Sequence, residues 1–326
     1  MIPKNIRFSD DNQELLKPIL PGLPISVFLT SFRQDTYNYV NWHWHAAFQY
    51  CLVTEGSVDF LLPNHSYRVT AGSGIFINTQ QVHLIREATA SPSSYLCIDI
   101  PPAFICPDEH SRIYLKYLKP VLQNPLPQVL ILSKHTSEDC QLLQSLKSIR
   151  LLLKNDSDFM ELDIQSEIIK ICKITFHKLE RADQGPSPLE YNDNNRLKII
   201  LQYMQNHYAE KISLEDVAQQ LSLSKSECCR FFKKVTGQPM FSYLNTMRIN
   251  KSMDLLRDTD MSIAEIADMV GFCSQSYYSD CFRRIKGITP KKFRILSLRR
   301  PSDILPLDIS SQQTETLSKG LGYSQP

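Results

Sequence analysis

Two groups of residues have the types and spacing to do chemistry. Ser226, Cys229, Arg230, Lys233 and Lys234 share one face of a helix that would start near Ser224. Gln275, Ser276, Ser279, Asp280, Arg283 and Arg284 repeat that arrangement about fifty residues later. A guanidinium such as Arg230 can pair bidentately with guanine, and an amide such as Gln275 with adenine. Lys233 and Lys234 are point charges suited to phosphates, which add affinity but no sequence information. A phosphate contact or a surface ion pair is the other reading of Arg230. Asp280 is the odd member: phosphates repel it, so it either accepts from cytosine or serves the local structure. The second group is His43, His45 and Gln49, which share strand parity, with His83 farther on. Together they could line one polar cavity. A further candidate, the adjacent pair Cys228-Cys229, would suit a redox or repair reaction only if a neighbour such as Arg230 lowered a thiol pKa.

The elements that must position the first group are legible as a repeat. Ile212–Leu221 and Met261–Val270 resemble one another. Ser213 and Ser262 are 49 positions apart, as are Ala218 and Ala267. Ser224 and Ser274 are 50 apart, as are Phe232 and Phe282, and Gly237 and Gly287. Each unit reads as two short helices around a tight turn. Ser213 and Ser262 can cap the first helix of each, with Asp216 and Glu265 three residues on. Small Ala218 and Ala267 allow a second helix to cross closely. Ser224 and Ser274 cap the second helices, and Gly237 and Gly287 end them. Phe241–Arg257 reads as one long helix between the units, fixing their separation. Two reading helices roughly 34–36 Å apart would enter successive major grooves.

The second group lies in a different kind of chain. From about Ile25 to Ile100, short β-branched and aromatic runs alternate with turns such as Glu55-Gly56, Pro63-Asn64 and Ala71-Gly72-Ser73-Gly74. That pattern favours a small antiparallel sandwich or barrel. Helical periodicity begins near His110 and is clearest over Glu161–Arg181, where Leu162, Gln165, Ile168, Ile169, Cys172, Phe176 and Leu179 form a stripe. It packs either on its own domain or on a partner helix. Asp183–Asn195 reads as a linker and the chain beyond about Leu298 as a disordered tail.

Bulk properties agree. The 326 residues suffice for two or three domains. The net charge of +2 conceals an asymmetry: nine Lys, nine Arg and ten acidic residues give +8 over 196–300, leaving −6 for the remainder. A polyanion would therefore meet only one half. The nine cysteines are scattered, without CxxC spacing, and read as reduced thiols of a cytoplasmic protein. No apolar run is long enough to span a membrane, and the first twenty residues lack the apolar core of a secretory signal.

Three stretches give the repeat a specific likeness: Arg230-Phe231-Phe232-Lys233-Lys234-Val235-Thr236-Gly237; Ile263-Ala264-Glu265-Ile266-Ala267 with Val270-Gly271-Phe272; and Phe282-Arg283-Arg284 with Gly287-Ile288-Thr289-Pro290 and Phe293-Arg294. Over about a hundred residues, Arg196 to Arg294, the chain resembles the AraC/XylS family of bacterial transcription regulators. The resemblance implies that residues near the start of each second helix face bases. Asp280 departs from it, since Arg is common there, so the second unit should contribute less specificity or read different bases. The HxH pair, the fourth polar position and the later His resemble a cupin. Metal-binding cupins usually have Glu near the position of Gln49, and a neutral amide is a poorer ligand. We therefore expect no metal and no cofactor, and read the four residues as an effector pocket or as satisfied structural histidines.

The expected protein is a two-domain α+β regulator. Residues 1–109 form a cupin-like effector-sensing β-barrel, 110–182 a helical dimerisation segment, 183–195 a linker and 196–297 an all-α domain with two helix-turn-helix units joined by a long helix. Residues 298–326 are the tail. The expected partners are double-stranded promoter DNA, a small-molecule effector, a second copy in a homodimer and RNA polymerase, with no membrane. The family resemblance favours an activator, although repression fits the residues equally well. A cupin metalloenzyme fused to a DNA-binding module is the rival; no enzymatic activity is expected of the preferred reading.

Overall fold

The computed structural model describes residues 7–8, 14–15, 18–19, 21–32, 39–88, 92–123, 128–155, 158–182 and 187–298. The expected tail beyond Leu298 and the first part of the expected linker, 183–186, lie outside the described residues.

Strands β1 (Arg7–Phe8) and β2 (Glu14–Leu15) pair with each other. Next come β3 (Ser26–Phe32), β4 (Tyr39–His43), β5 (Phe48–Glu55), β6 (Ser57–Leu61), β7 (Ser66–Thr70), β8 (Gly74–Ile77), β9 (His83–Glu87) and β10 (Ser93–Ile100). A short helix α1 (Pro102–Ile105), a π-type turn (Tyr114–Leu118) and α2 (Lys119–Gln123) lead to β11 (Val129–Leu132), then to α3 (Ser137–Leu152) and α4 (Met160–Arg181). The strands form two antiparallel sheets, ordered β11-β8-β5-β10-β3 and β4-β9-β6-β7. Strand parity divides their side chains. Cys51, Val53, Ile75, Ile77, Tyr95 and Cys97 of the larger sheet meet Val40, Val58, Phe60, Val69 and Ile85 of the smaller one in a shared core. Phe48, Tyr50, Leu52, Phe76, Leu96 and Ile98 face the other way, onto α3 and α4.

The sequence pattern from His110 onward concealed one strand. Val129-Leu130-Ile131-Leu132 forms β11 on the edge of the larger sheet, paired with β8. Four apolar residues in a row do not distinguish strand from buried helix. The stripe on α4 also turns out shifted. Ile164, Ile168, Ile171, Cys172, Thr175, Phe176 and Leu179 are buried against the sheet and α3, while Leu162 (63% exposed) and Ile169 (46% exposed) point away. The Tyr50 hydroxyl donates to Thr175 Oγ1 at 3.1 Å within this interface.

The C-terminal half is helical: α5 (Pro188–His207), α6 (Leu214–Gln219), α7 (Lys225–Thr236), α8 (Met240–Asp258), α9 (Ile263–Met269), α10 (Gln275–Lys286) and α11 (Pro290–Leu298). Residues 188–195, expected within the linker, are instead the first two turns of α5. Ser187 and Glu190 form a reciprocal capping box, and Pro188 occupies the first turn. Capping boxes also start α6 (Ser213/Asp216), α7 (Ser224/Glu227) and α9 (Ser262/Glu265), and Ser274 caps α10 through Tyr277 N. Each cap satisfies backbone donors that the helix cannot, worth about 1 kcal/mol.

Polar ties from Arg248, Arg294 and Tyr278 join the long helix to the end of α5 and to the second unit. Arg248 of α8 donates to Tyr208 O and Glu210 O, both at 2.7 Å, and its guanidinium lies 5.8 Å from the Phe272 ring centre. Arg294 of α11 donates to Leu256 O and Met261 O. Tyr278 of α10 donates to Ser252 Oγ at 2.9 Å, and both residues are buried.

Gly271 and Gly237 separate two costs of adding a side chain. Both have positive φ, 83° and 75°. A Cβ at Gly271 would lie 2.5 Å from Tyr208 O, whereas nothing lies within 4 Å of one at Gly237. Gly237→Ala should therefore cost only the backbone penalty, about 1–2 kcal/mol. Gly271→Ala should cost distinctly more, because the α9–α10 turn cannot withdraw from the α5 terminus. Urea denaturation of the two variants checks the difference; equal costs would show that the close approach is relaxed without penalty.

Candidate nucleic-acid interface and a buried histidine cluster

Helices α7 and α10 occupy equivalent places in the two repeats. Each buries one face: Cys228, Phe232 and Val235 in α7, and Tyr278, Cys281 and Phe282 in α10. The other faces meet solvent. On α7, Ser226, Arg230, Lys233 and Lys234 are exposed and Cys229 is half-buried. On α10, Gln275, Ser276, Asp280, Arg283 and Arg284 are exposed and Ser279 is half-buried. The eleven side chains thus form one polar surface on each helix. Both helices end in a glycine of left-handed conformation, with basic residues in the last turn.

The two faces differ electrostatically. Lys234 of α7 lies 3.8 Å from Asp193 of α5, while Arg230 and Lys233 are exposed on the same helix. On α10, Asp280 sits 3.3 Å from Arg283 in an exposed i,i+3 pair, so part of the basic charge is offset locally. Arg284 donates to Cys281 Sγ at 3.3 Å. Tyr277, also exposed on α10, accepts from Asn245 of α8 at 3.0 Å and ties the reader to the linking helix. The thiol reading of Cys228-Cys229 fails at Cys228: it is buried, and desolvation pushes its pKa up to about 11, the reverse of a reactive thiol.

The four polar residues of the N-terminal half come together. The β4–β9 register shifts between Val40 and His43, and His43 then stands opposite His83. Their ring centres are 4.1 Å apart, with His45 5.4 Å from His83 and 6.0 Å from His43. All three imidazoles are buried. Each uses Nδ1 on a backbone carbonyl: His43 on Asn41 O at 2.7 Å, His45 on Ala47 O at 3.0 Å and His83 on Gln81 O at 2.9 Å. A carbonyl only accepts, so Nδ1 bears the proton in each ring and Nε2 the lone pair. Burial holds the rings neutral, lowering the pKa of His43 to about 4 and, with His43 as a neighbour, that of His45 to about 3. His83 is lowered well below its usual value by burial and by both neighbours. The Gln49 amide donates to His45 Nε2 and to Asp99 Oδ1, both at 3.1 Å. Among the described residues, Gln49 Oε1 and His83 Nε2 are buried with no hydrogen-bond partner. Such a pocket presents lone pairs to a ligand's donors or to a cation. Asp99 was not anticipated, although its inward parity on β10, shared with Tyr95 and Cys97, is a sequence signal for a buried carboxylate.

The cluster adjoins the boundary between the halves. Trp42 and Trp44, which flank His43, pack with Val82 into the core formed by Leu197, Leu201, Met204, Val217, Phe232 and Tyr243. Asn194 of α5 accepts from Val82 N at 2.8 Å and from the Gln81 amide at 2.9 Å, and donates to Gln80 O at 3.2 Å. Lys198 bonds Gln80 and lies 5.3 Å from the Trp44 ring centre.

Comparison with known proteins gives the following. A family model described as "AraC-like ligand binding domain" matches residues 24–168, and one described as "Helix-turn-helix domain" matches 217–295. The HTH-type transcriptional regulator YdeC of Bacillus subtilis (strain 168) is 29% identical over 294 residues, covering 89% of this chain and 98% of YdeC. The HTH-type transcriptional activator RhaS of Klebsiella pneumoniae (strain 342) is 26% identical over 260 residues, covering 77% and 86%. Among solved structures, unsaturated fatty acid bound ToxT from Vibrio cholerae strain SCE256 is similar with a TM-score of 0.42 and 17% identity, over 83% of this chain and 95% of ToxT.

Asn194→Ala would leave the buried Val82 N–H without its acceptor, at a cost of about 1–3 kcal/mol. The expected result is a lower urea midpoint and faster amide exchange confined to residues 80–82 and the first turns of α5. Unchanged exchange there would mean that these bonds do not hold the boundary.

Proposed function

The chain is an AraC-family DNA-binding transcription regulator with an N-terminal ligand-binding domain, and we propose that α7 and α10 are the helices with which it reads a promoter. The observation that supports this is the division of each helix into a buried apolar face and an exposed polar one at equivalent positions of a repeat. In this reading Ser226, Cys229 and Arg230 meet base edges, with Arg230 bidentate on guanine, and Lys233 and Lys234 meet phosphates. Gln275, Ser276 and Ser279 read from the second helix, Arg283 and Arg284 contact backbone, and Asp280 spends its charge on Arg283. The first unit then supplies more of the specificity.

His43, His45, Gln49 and His83 form the effector pocket of this proposal. Residues 1–109 sense, 110–182 dimerise and 196–297 bind DNA; the connection shortens to the residues before α5. The exposed apolar side chains Ile113, Leu115, Tyr117, Leu162 and Ile169 lie in the helical segment and suit contact with a second copy. We propose a cytoplasmic homodimer that acts through RNA polymerase and catalyses no reaction.

Arg230→Ala should weaken binding to a selected operator by about 1–3 kcal/mol and relax preference at one position, measured against random DNA of equal length. Equal weakening on both would make Arg230 a phosphate contact. For the unmodified chain, the dissociation constant should rise steeply with salt. Binding indifferent to salt would remove the DNA-reading proposal.

A further inference from the structure

We propose that Asp193 of α5 is a positioning residue for DNA binding, holding the Lys234 ammonium of α7 back from phosphate. Asn64 of the β-domain weakens that hold by donating to the same carboxylate oxygen. The proposal rests on the reading of α7 as a DNA-facing helix.

The opening turns of α5 lie along α7. Leu197 of α5 shares a buried cluster with Phe232 and Val235 of α7. Asp193, one turn before Leu197, is on the same face of α5, and its carboxylate is only 13% exposed. A carboxylate so enclosed needs donors or a cation beside it. Two groups supply them, from opposite sides of the boundary. Asn64, in the β6–β7 turn, donates its amide to Asp193 Oδ2 at 3.0 Å. Lys234, in the last turn of α7, places Nζ 3.8 Å from the same oxygen. The first contact is a hydrogen bond; the second is too long for one and is an attraction between charges alone. Asn64 thus has the nearer place, and the ammonium stands off. The neighbouring His65 bonds Glu190, one turn earlier on α5, so the β6–β7 turn is held there at two points.

The arrangement has a consequence for DNA. The Lys234 side chain is 69% exposed on a flexible stem and can swing from Asp193 to a phosphate. In doing so it exchanges one anion for another. Asp193 then attracts a counterion in place of the one the phosphate releases, so this contact adds little to the salt dependence of binding. Withdrawal of Asn64, when the β-domain shifts against α5, lets Lys234 close on Asp193. The reading helix then presents one cation fewer. Docked and shifted β-domains therefore differ in their affinity for DNA, the differential contact a population shift needs.

The test uses the full chain, with fluorescence anisotropy on a selected operator duplex and on a random duplex of equal length, over a series of salt concentrations. Asp193→Asn keeps an oxygen for Asn64 but removes the charge that holds Lys234. It should tighten both duplexes alike, by about two- to fivefold, the range of an exposed ion pair. It should also steepen log Kd against log salt by about one. In a Lys234→Gln background the same substitution should leave the slope unmoved. Asn64→Ala should weaken both duplexes by about two- to fivefold, and Lys234→Gln should erase that effect. A merely structural Asp193 would lower the urea midpoint without moving the salt slope, which overturns the proposal. A steepening that survives Lys234→Gln overturns it too, because Lys234 is then not the group released. Unaltered binding in Asn64→Ala does the same. Should Asp193→Asn unfold, Asn64→Ala with and without Lys234→Gln decides. If the unmodified chain binds DNA without steep salt dependence, the DNA-facing reading of α7 itself fails. Steep dependence with unmoved variants sinks only the role of Asp193.

Discussion

The first helix-turn-helix unit does not close its own core. Trp42, Trp44 and Val82 of the β-domain are buried among Leu197, Leu201, Met204, Val217, Phe232 and Tyr243, so the sensor and the first reader share one apolar cluster. Large aromatic side chains dominate the energetics of any core they enter. Parting the halves would return both indoles to water, and the interface is therefore a structural element of the reader. Polar contacts then fix its register: Asn194 satisfies Val82 N, and His65 and Asn64 of the β6–β7 turn bond Glu190 and Asp193 at the start of α5.

From that shared core the rest of the DNA-facing surface is positioned in sequence. Helix α8 leaves the first cluster through Tyr243, Leu244 and Met247 and enters the second through Ile249 and Leu256. Arg248, between the two, spends its guanidinium on the carbonyls that end α5 and on the ring of Phe272. The two units are thus clamped to one rigid element, and what happens at the β-domain boundary reaches the first reader before the second. The repeat is exact in architecture and unequal in charge: α10 carries an internal Asp280–Arg283 pair where the corresponding positions of α7 are Arg230 and Lys233.

Much of this was legible in the sequence because local physics writes it there. Ser caps with acidic residues three positions on, Gly at the left-handed helix ends, and apolar spacing of 3–4 residues fixed α6, α7, α9 and α10. Parity placed Gln49 on the inward side of β5, whereas His45 lies in the connection between β4 and β5 and reaches the cluster from there. The start of α5 was missed although Ser187-Pro188 and Glu190 spell a capping box, because the neighbouring Asn192-Asp193-Asn194-Asn195 looks like linker. Those polar residues are in fact the grip of α5 on the β-domain, a contact made 112 positions away in the chain. Strand β11 was hidden because four consecutive apolar residues have no period to read.

The sequence by itself determined what short-range forces decide: which segments are helix or strand, where helices begin and end, and which faces are apolar. Tertiary structure alone decided what faces what. It set His83 opposite His43 through a register shift, turned three Nδ1 atoms to backbone carbonyls, and drove Trp42 and Trp44 into another domain's core. Those outcomes depend on long-range packing, where the identity of a neighbour is set by the whole fold and leaves no periodic trace in the chain.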